Sequence, residues 1–251
     1  MDFQLRGRTA LVTGASQGIG RSLARMLALQ GVKVVGAARR THLVDELSES
    51  VRAQGGEPII AVAVDLYQDG SAESLAAAAK KAVGPIDILM NVAGASMPLP
   101  FDAPHEQWEE GMVLNFHRVR QLTHALIPDM RSRGWGRIVN FTGTSEPRML
   151  NAAFTAKAAV HVWAKALARE VAPCGITINS LQPGRIHSEQ MSKRYPTLEL
   201  ELEHAQAEIP MGRFGEPEEI GAVAVFLASA LGSYVTGTVI PVDGGSSRFA
   251  F

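Results

Sequence analysis

The residues best placed to do chemistry begin in the stretch from Arg8 to Gly20, RTALVTGASQGIG. A short run carrying Leu11 and Val12 has the length of a buried strand. It breaks into Gly14-Ala15-Ser16-Gln17-Gly18-Ile19-Gly20, and an apolar-periodic segment, Arg21 to Gln30, follows at once. Glycines at such a join let the backbone turn sharply and approach a ligand that a Cβ would exclude. Free N–H groups and partial positive charge at the start of the next helix suit a phosphate. Strand, glycine turn and helix together read as a pyrophosphate cradle. The spacing is G-x-x-x-G-x-G, not G-x-G-x-x-G, and it lacks the G-K-[ST] ending of an ATP-binding loop. His105, His117 and His124 form no grouping with Asp or Glu of the kind a zinc site needs, so no metal is expected. Cys174, the single cysteine, has no base at useful spacing and is expected to be inert.

The elements that must hold these residues alternate. Strand candidates after the first are Val32–Ala38, Ile59–Val64, Ile86–Val92, Gly136–Phe141, Ile176–Leu181 and Val239–Val242. Helical patterns lie between them at Leu43–Gln54, Ser71–Val83, Glu106–Arg133, Ala152–Val171 and Glu216–Ala230. This rhythm predicts an α/β fold, one Rossmann-like domain with a doubly wound parallel sheet and helices on both faces. The segment from His187 to Pro210 breaks the rhythm. It is an acidic, partly helical insertion near the strand ends, where a lid over a bound substrate is expected. Met191, Tyr195 and Leu198 are spaced to share one face of it.

Bulk properties narrow the setting. A length of 251 residues, 46% hydrophobic and 20% charged, describes an ordinary globular protein. A formal charge of −1 and pI near 6.7 give no reason to expect nucleic acid or an anionic membrane as partner. No apolar run reaches membrane-spanning length, the N-terminus lacks a secretory pattern, and one cysteine suits a reducing compartment. The expectation is a cytoplasmic protein with a small-molecule substrate.

The order of motifs along the whole chain resembles the short-chain dehydrogenase/reductase family. The matches are TGASQGIG at 13–20, Asp65-Leu66, NVAG at 91–94, Asn115, Lys157, PGRIHS at 183–188 and VDGG at 242–245. The resemblance implies a nicotinamide cofactor and hydride transfer to or from a carbonyl or alcohol carbon. It also implies a homodimer or homotetramer built through the helices at 106–133 and 152–171. Position 38, where NAD-preferring members place an acid, is Ala38, and Arg39 and Arg40 follow. Guanidinium groups pair with a 2′-phosphate that a carboxylate would repel, so NADP(H) is expected, with Arg39 the main contact. By resemblance, Gly14, Ser16, Gln17, Gly18, Ile19 and Gly20 hold the pyrophosphate and Asp65, beside Leu66, accepts from the adenine amine. Asn91, Ala93 and Gly94 line the adenosine side. Pro183, Gly184, Ile186 and Ser188 meet the nicotinamide end.

The catalytic pattern departs from the family. A tyrosine three residues before the lysine normally moves the substrate proton, and the cationic lysine lowers its pKa from near 10. Here that position is Phe154. Phenylalanine can pack against a substrate but holds no ionisable proton. The usual serine falls on Gly143, so Thr144 or Ser145 is the candidate to orient a carbonyl. Asn115 would hold a water relay behind Lys157. Two explanations compete. Either another group supplies the proton (Lys157 itself, His187, Glu146 or Tyr195), or the fold persists as an NADP(H)-binding regulatory or scaffold subunit. A pre-protonated iminium substrate, needing only positioning and electrostatics, would also excuse the loss. His161, on the helix face of Phe154, reads as packing.

Overall fold

Alternation within the strands decides the architecture. In the computed structural model, which describes residues 2–249, Ala10 and Val12 of the first strand pack into one apolar cluster and Leu11, between them, into another. Successive side chains of a strand point to opposite faces, so a strand apolar at every position needs a helical layer on each side. The elements supply both layers. In chain order they are β1 (Thr9–Thr13), α1 (Gly18–Leu29), β2 (Lys33–Ala38), α2 (Thr41–Ala53), β3 (Ile59–Ala63), α3 (Ser71–Val83), β4 (Ile88–Asn91), α4 (His105–Met112), α5 (Arg118–Arg133), β5 (Gly136–Phe141), α6 (Ala152–Val171), β6 (Ile176–Pro183), α7 (Glu189–Arg194), α8 (Leu198–Glu208), α9 (Pro217–Ala228) and β7 (Val239–Val242). The strands form one seven-stranded parallel sheet in the order β3-β2-β1-β4-β5-β6-β7.

One layer buries Leu23, Leu27, Val44, Leu47, Ile220 and Leu227 from α1, α2 and α9. The other buries Leu75, Leu122, Leu126, Val160 and Ala164 from α3, α5 and α6. Burying one such leucine contributes roughly 1.5–3 kcal/mol, so these two clusters hold the sheet between the layers. The order reverses between β1 and β4, the crevice where a doubly wound sheet offers a site at its strand ends.

Two expected elements differ. The continuous helix over Glu106–Arg133 is interrupted by a π-helical turn, Val113–His117, between α4 and α5. Such a turn adds a residue without breaking the helix, and it marks functional segments more often than chance. The insertion folds as α7 and α8 around a small cluster of Ala205, Ile209 and Phe214, with Met191 and Tyr195 packed against it. Leu198, at 70% exposure, does not share that face as its spacing suggested. It starts α8 instead of continuing α7, so the three residues are not on one helix. Among the described residues no helix is long and apolar enough to cross a membrane, and no group of three or more His, Cys, Asp or Glu could hold a metal ion.

Candidate active site

The site grows from the join of β1 and β4. Thr13 Oγ1 accepts the amides of Val92 and Ala93, each at 3.0 Å, and so draws the end of β4 against β1. Gly14 has φ +71°, and a Cβ there would come within 3.2 Å of the Ala93 backbone. A Cβ at Gly20 would collide with the Gly14 carbonyl. Glycine therefore occupies these positions because backbone packs directly on backbone. The turn from Gly14 through Ser16 delivers α1 with Gln17 at its cap, making no capping bond, and no acid in the first turn. Gly18, at φ +52°, faces Ser188, whose Cβ lies 3.4 Å from where a glycine Cβ would sit. The opening of α1, at Gly18, Ile19 and Gly20, is a cradle whose N–H groups and dipole suit a diphosphate.

At the end of β2, Arg39 and Arg40 are both exposed. Arg40 Nη2 donates to the Gln17 carboxamide oxygen and to Glu189 Oε2. Arg39 forms no ion pair with a carboxylate among the described residues. Next to it, Asp65 Oδ1 accepts the Tyr67 amide at 3.1 Å. That bond closes a tight turn, whereas α3 is capped separately by Gly70. The Leu66 carbonyl accepts from Arg118 Nε at 2.9 Å, and Arg118 Nη2 donates to Asp69 Oδ1 at 2.8 Å. Arg118 is 6% exposed and pins this whole loop. Its position within a long helical pattern carried no signal of that task.

The Asn91 side chain donates to Thr123 Oγ1 and Asn140 Oδ1, tying β4 to α5 and β5. A buried amide must find partners, and its in-register neighbour on β5 is Asn140. Gly94 packs against Asn115 and Lys157. A Cβ there would meet Asn115 Oδ1 at 2.9 Å and Lys157 Nζ at 3.4 Å.

These contacts define the other end of the crevice. Asn115, buried in the π-helical turn, accepts the Ala95 amide on Oδ1 and donates from Nδ2 to the carbonyls of Ala95 and Gly111. Lys157 projects from α6, whose start is fixed by Asn151 Oδ1 accepting the Ala153 amide at 2.9 Å. Lys157 Nζ donates to the Thr142 carbonyl at 3.3 Å. Among the described residues it has no carboxylate partner. Burial lowers its pKa from 10.5 to about 8, a penalty of roughly 3 kcal/mol on the charged form. One long hydrogen bond to a carbonyl does not offset that. Phe154, one helical turn before it, shares its face: the space beside Gly143 is bounded by Lys157 Cδ and Phe154 Cδ1, each 3.5 Å from a would-be Cβ.

His161 does more than pack. Its Nε2 lies 2.7 Å from Thr142 Oγ1, while that hydroxyl donates to the Leu181 carbonyl. The ring therefore donates from Nε2, and burial lowers its pKa, keeping it neutral. Thr142 and His161 together fix the carbonyl that receives Lys157.

The candidates to orient the carbonyl, Thr144 and Ser145, and the proton candidates Glu146 and Tyr195 each have partners of their own. Thr144 Oγ1 accepts the Glu146 amide, and Ser145 Oγ donates to Gln182 Oε1 at 3.2 Å. Glu146 Oε1 accepts the amides of Arg248 and Phe249. Tyr195 packs against His204 and Phe214, at centroid distances of 4.9 and 5.2 Å. At the end of β6, a Cβ at Gly184 would meet Asp243 within 2.6 Å. Pro183 closes the strand, Ile186 bridges to Gly215, and the Ser188 hydroxyl accepts the Met191 amide as the cap of α7.

His187 lies between two carboxylates, Nε2 2.7 Å from Glu201 on α8 and Nδ1 2.8 Å from Glu216 at the cap of α9. The bond to Glu201 and then that to Glu216 raise its pKa, and with a carboxylate oxygen at each nitrogen the protonated ring donates from both. A raised folded pKa contributes stability below the unfolded value near 6.5, and that contribution is lost as pH rises through the folded pKa. Amide exchange in α8, compared at each pH with His187→Gln, should therefore be slower in the parent protein below about pH 6.5. The difference should be a few-fold, as for exposed ion pairs, and vanish as the pH is raised. A difference independent of pH would overturn this assignment.

Comparison with known proteins agrees with the geometry. Residues 14–247 match the family described as Enoyl-(Acyl carrier protein) reductase. A galactitol 2-dehydrogenase (L-tagatose-forming) of Cereibacter sphaeroides is 36% identical over 97% of this chain and 96% of its own. A 3-oxoacyl-[acyl-carrier-protein] reductase FabG of Pseudomonas aeruginosa is 35% identical over 97% and 98%. The L-sorbose reductase of Gluconobacter frateurii, solved with NADPH and L-sorbose, superposes with a TM-score of 0.94, at 29% identity, over 99% of this chain and 100% of that one. The reversal of strand order, the glycine cradle and the Asn115–Lys157 pair thus occur in a chain that belongs to the short-chain dehydrogenase/reductase family.

Proposed function

We propose that this protein is an NADP(H)-dependent oxidoreductase that reduces a carbonyl or imine compound, with Lys157 at the centre of its proton relay. The observation that carries the reading is Lys157 itself: a half-buried ammonium, poised near pH 8, beside Gly94 and Asn115, with no carboxylate partner among the described residues. The cofactor fits the residues present. The cradle at 14–20 would take the pyrophosphate, Arg39 and Arg40 the 2′-phosphate, Asp65 the adenine amine, and the segment at 183–188 the nicotinamide end. When bound, it supplies the hydride.

The chain supplies the rest. Hydride arriving at a carbonyl carbon leaves the two C=O π electrons on oxygen, which must receive a proton. Lys157 Nζ gives that proton directly or through one water, becoming a neutral amine. Reprotonation from solvent through water held by Asn115 restores it. Phe154 would press on the substrate as an apolar wall, and α7 with α8 would act as the lid that excludes bulk water. Thr144 or Ser145 would orient the carbonyl after exchanging its present bond. Self-association through α5 and α6 is proposed too, since Val162 on α6 stands 75% exposed.

A second reading has support from Phe154 and Gly143 together. Two apolar residues in the proton-handling region suit an NADP(H)-binding scaffold with no turnover. Oxidation of NADPH against a panel of ketones, aldehydes and cyclic imines decides between them. Turnover sustains the first reading; tight NADPH binding without turnover, across a panel that includes pre-formed iminium ions, sustains the second.

Cofactor choice has its own test. Arg39→Ala should weaken NADPH binding at least 10-fold and NADH binding little, because a guanidinium–phosphate bond is charge-assisted and NADH lacks that phosphate. Equal losses for both would remove Arg39 from the 2′-phosphate.

A further inference from the structure

Arg40 fastens three segments that meet at the proposed 2′-phosphate site. Its Nη2 donates to Gln17 in the glycine turn and, at 2.9 Å, to Glu189 Oε2 in the first turn of α7. Gln17 and Glu189 are 23 and 149 residues distant in sequence. The other oxygen of Glu189 accepts Lys193 Nζ at 2.8 Å. We propose that Glu189 is the resident counter-charge of this site: a specificity-determining carboxylate that competes with the 2′-phosphate for Arg40 and, when displaced, releases the first turn of α7. The inference rests on the NADP(H) reading above.

The chemistry of exchange supports it. A carboxylate and a phosphate offer the same kind of acceptor oxygen to a guanidinium, and their like charges repel when both crowd one Nη2. Displacement is nearly balanced. Glu189 keeps Lys193, Arg40 keeps Gln17, and the broken pair is exposed on both sides, at 44% and 42%. Exposed pairs of this kind shift an equilibrium by at most about fivefold. α7 has only six residues and no fully buried side chain, so beside the Ser188 cap and the packing of Met191 this tie is a substantial part of what holds its opening turn. An NADH-type adenosine brings no competing anion, so the tie stays made and α7 stays down. The carboxylate thereby taxes the phosphorylated cofactor and couples its arrival to the lid.

Adenosine 2′,5′-diphosphate and ADP are the probes, with affinity read by calorimetry and motion by amide exchange. In the parent protein, 2′,5′-ADP should bind more tightly than ADP. It should also speed exchange of the Ser192 and Tyr195 amides, which bond to Ser188 and Met191, while ADP leaves them unchanged. Glu189→Gln should tighten 2′,5′-ADP about two- to fivefold, leave ADP unchanged, and show fast exchange at those amides without ligand. If the parent binds both probes equally, the NADP(H) reading falls and this inference with it. If 2′,5′-ADP is preferred but Glu189→Gln binds it no more tightly, or if 2′,5′-ADP slows exchange in α7, the competition alone is overturned.

Discussion

Replacing Lys157 with methionine should cut NADPH-dependent turnover by about 10²–10⁴, the range a positioned general acid supplies. The protein should stay folded and gain stability. Methionine fills much of the same volume, and the half-buried ammonium it replaces is a charge held against a desolvation penalty. The direction of the pH effect separates an acid from a packing residue. Lys157 carries its proton below about pH 8 and loses it above. kcat/KM for reduction should therefore be level below pH 8 and fall tenfold per unit above it, and the residual rate of Lys157→Met should show no such fall. Stability should move the other way. The folded pKa of the lysine is depressed, so the parent protein gains stability as pH rises from about 8 towards 10.5, and the variant does not. A variant that folds and turns over normally would move the acid elsewhere. Arginine at this position should not rescue, since a guanidinium remains charged at every working pH and releases no proton.

The sequence made the frame legible because local chemistry and tertiary need coincide there. Ser71–Val83, Gly136–Phe141, Ala152–Val171 and Val239–Val242 form at the bounds their patterns predict. At Ala152 the reason is local, an Asn cap followed by helix formers. At Gly136 it is the opposite: six residues buried on both faces could only be an inner strand. The π-helical turn at Asn115 was hidden because one extra residue barely disturbs the apolar period of a long helix. What each polar side chain touches was hidden for a different reason. Asn91 finds Asn140 and His187 finds Glu201 and Glu216 across distant parts of the chain, and no spacing rule records pairings that packing alone creates. Tyr195 and Glu146 read as free proton carriers in a list of residues. In the folded chain one is packed among rings and the other holds the C-terminal backbone. Lys157, by contrast, has no carboxylate partner among the described residues.

The opposite experiment adds chemistry where Lys157→Met removes it. Gly143→Ser with Phe154→Tyr should raise reduction of simple ketones by about 10²–10⁴, a gain of the size a positioned phenolic acid contributes. The geometry admits both side chains. A Cβ at Gly143 would meet nothing nearer than 3.5 Å, which is ordinary contact, and the phenylalanine ring already occupies the face of α6 that carries Lys157. The new phenol would sit beside an ammonium, and that positive charge lowers a phenol's pKa from near 10 towards the working range. The serine hydroxyl would donate to the same carbonyl oxygen, so the two substitutions should be more than additive, because residues acting on one oxygen behave as a unit. The pH profile should change with them. The acid of the double variant becomes the phenol with its lysine neighbour, titrating as a coupled pair instead of the single step near 8. Lys157→Met placed on top of the pair should then leave a residual rate, since the phenol remains. In the parent background the same substitution leaves only positioning and electrostatics. If the double variant gains nothing on any ketone that its parent reduces, Phe154 does not stand in the acid's place, and the wall it forms serves substrate fit alone.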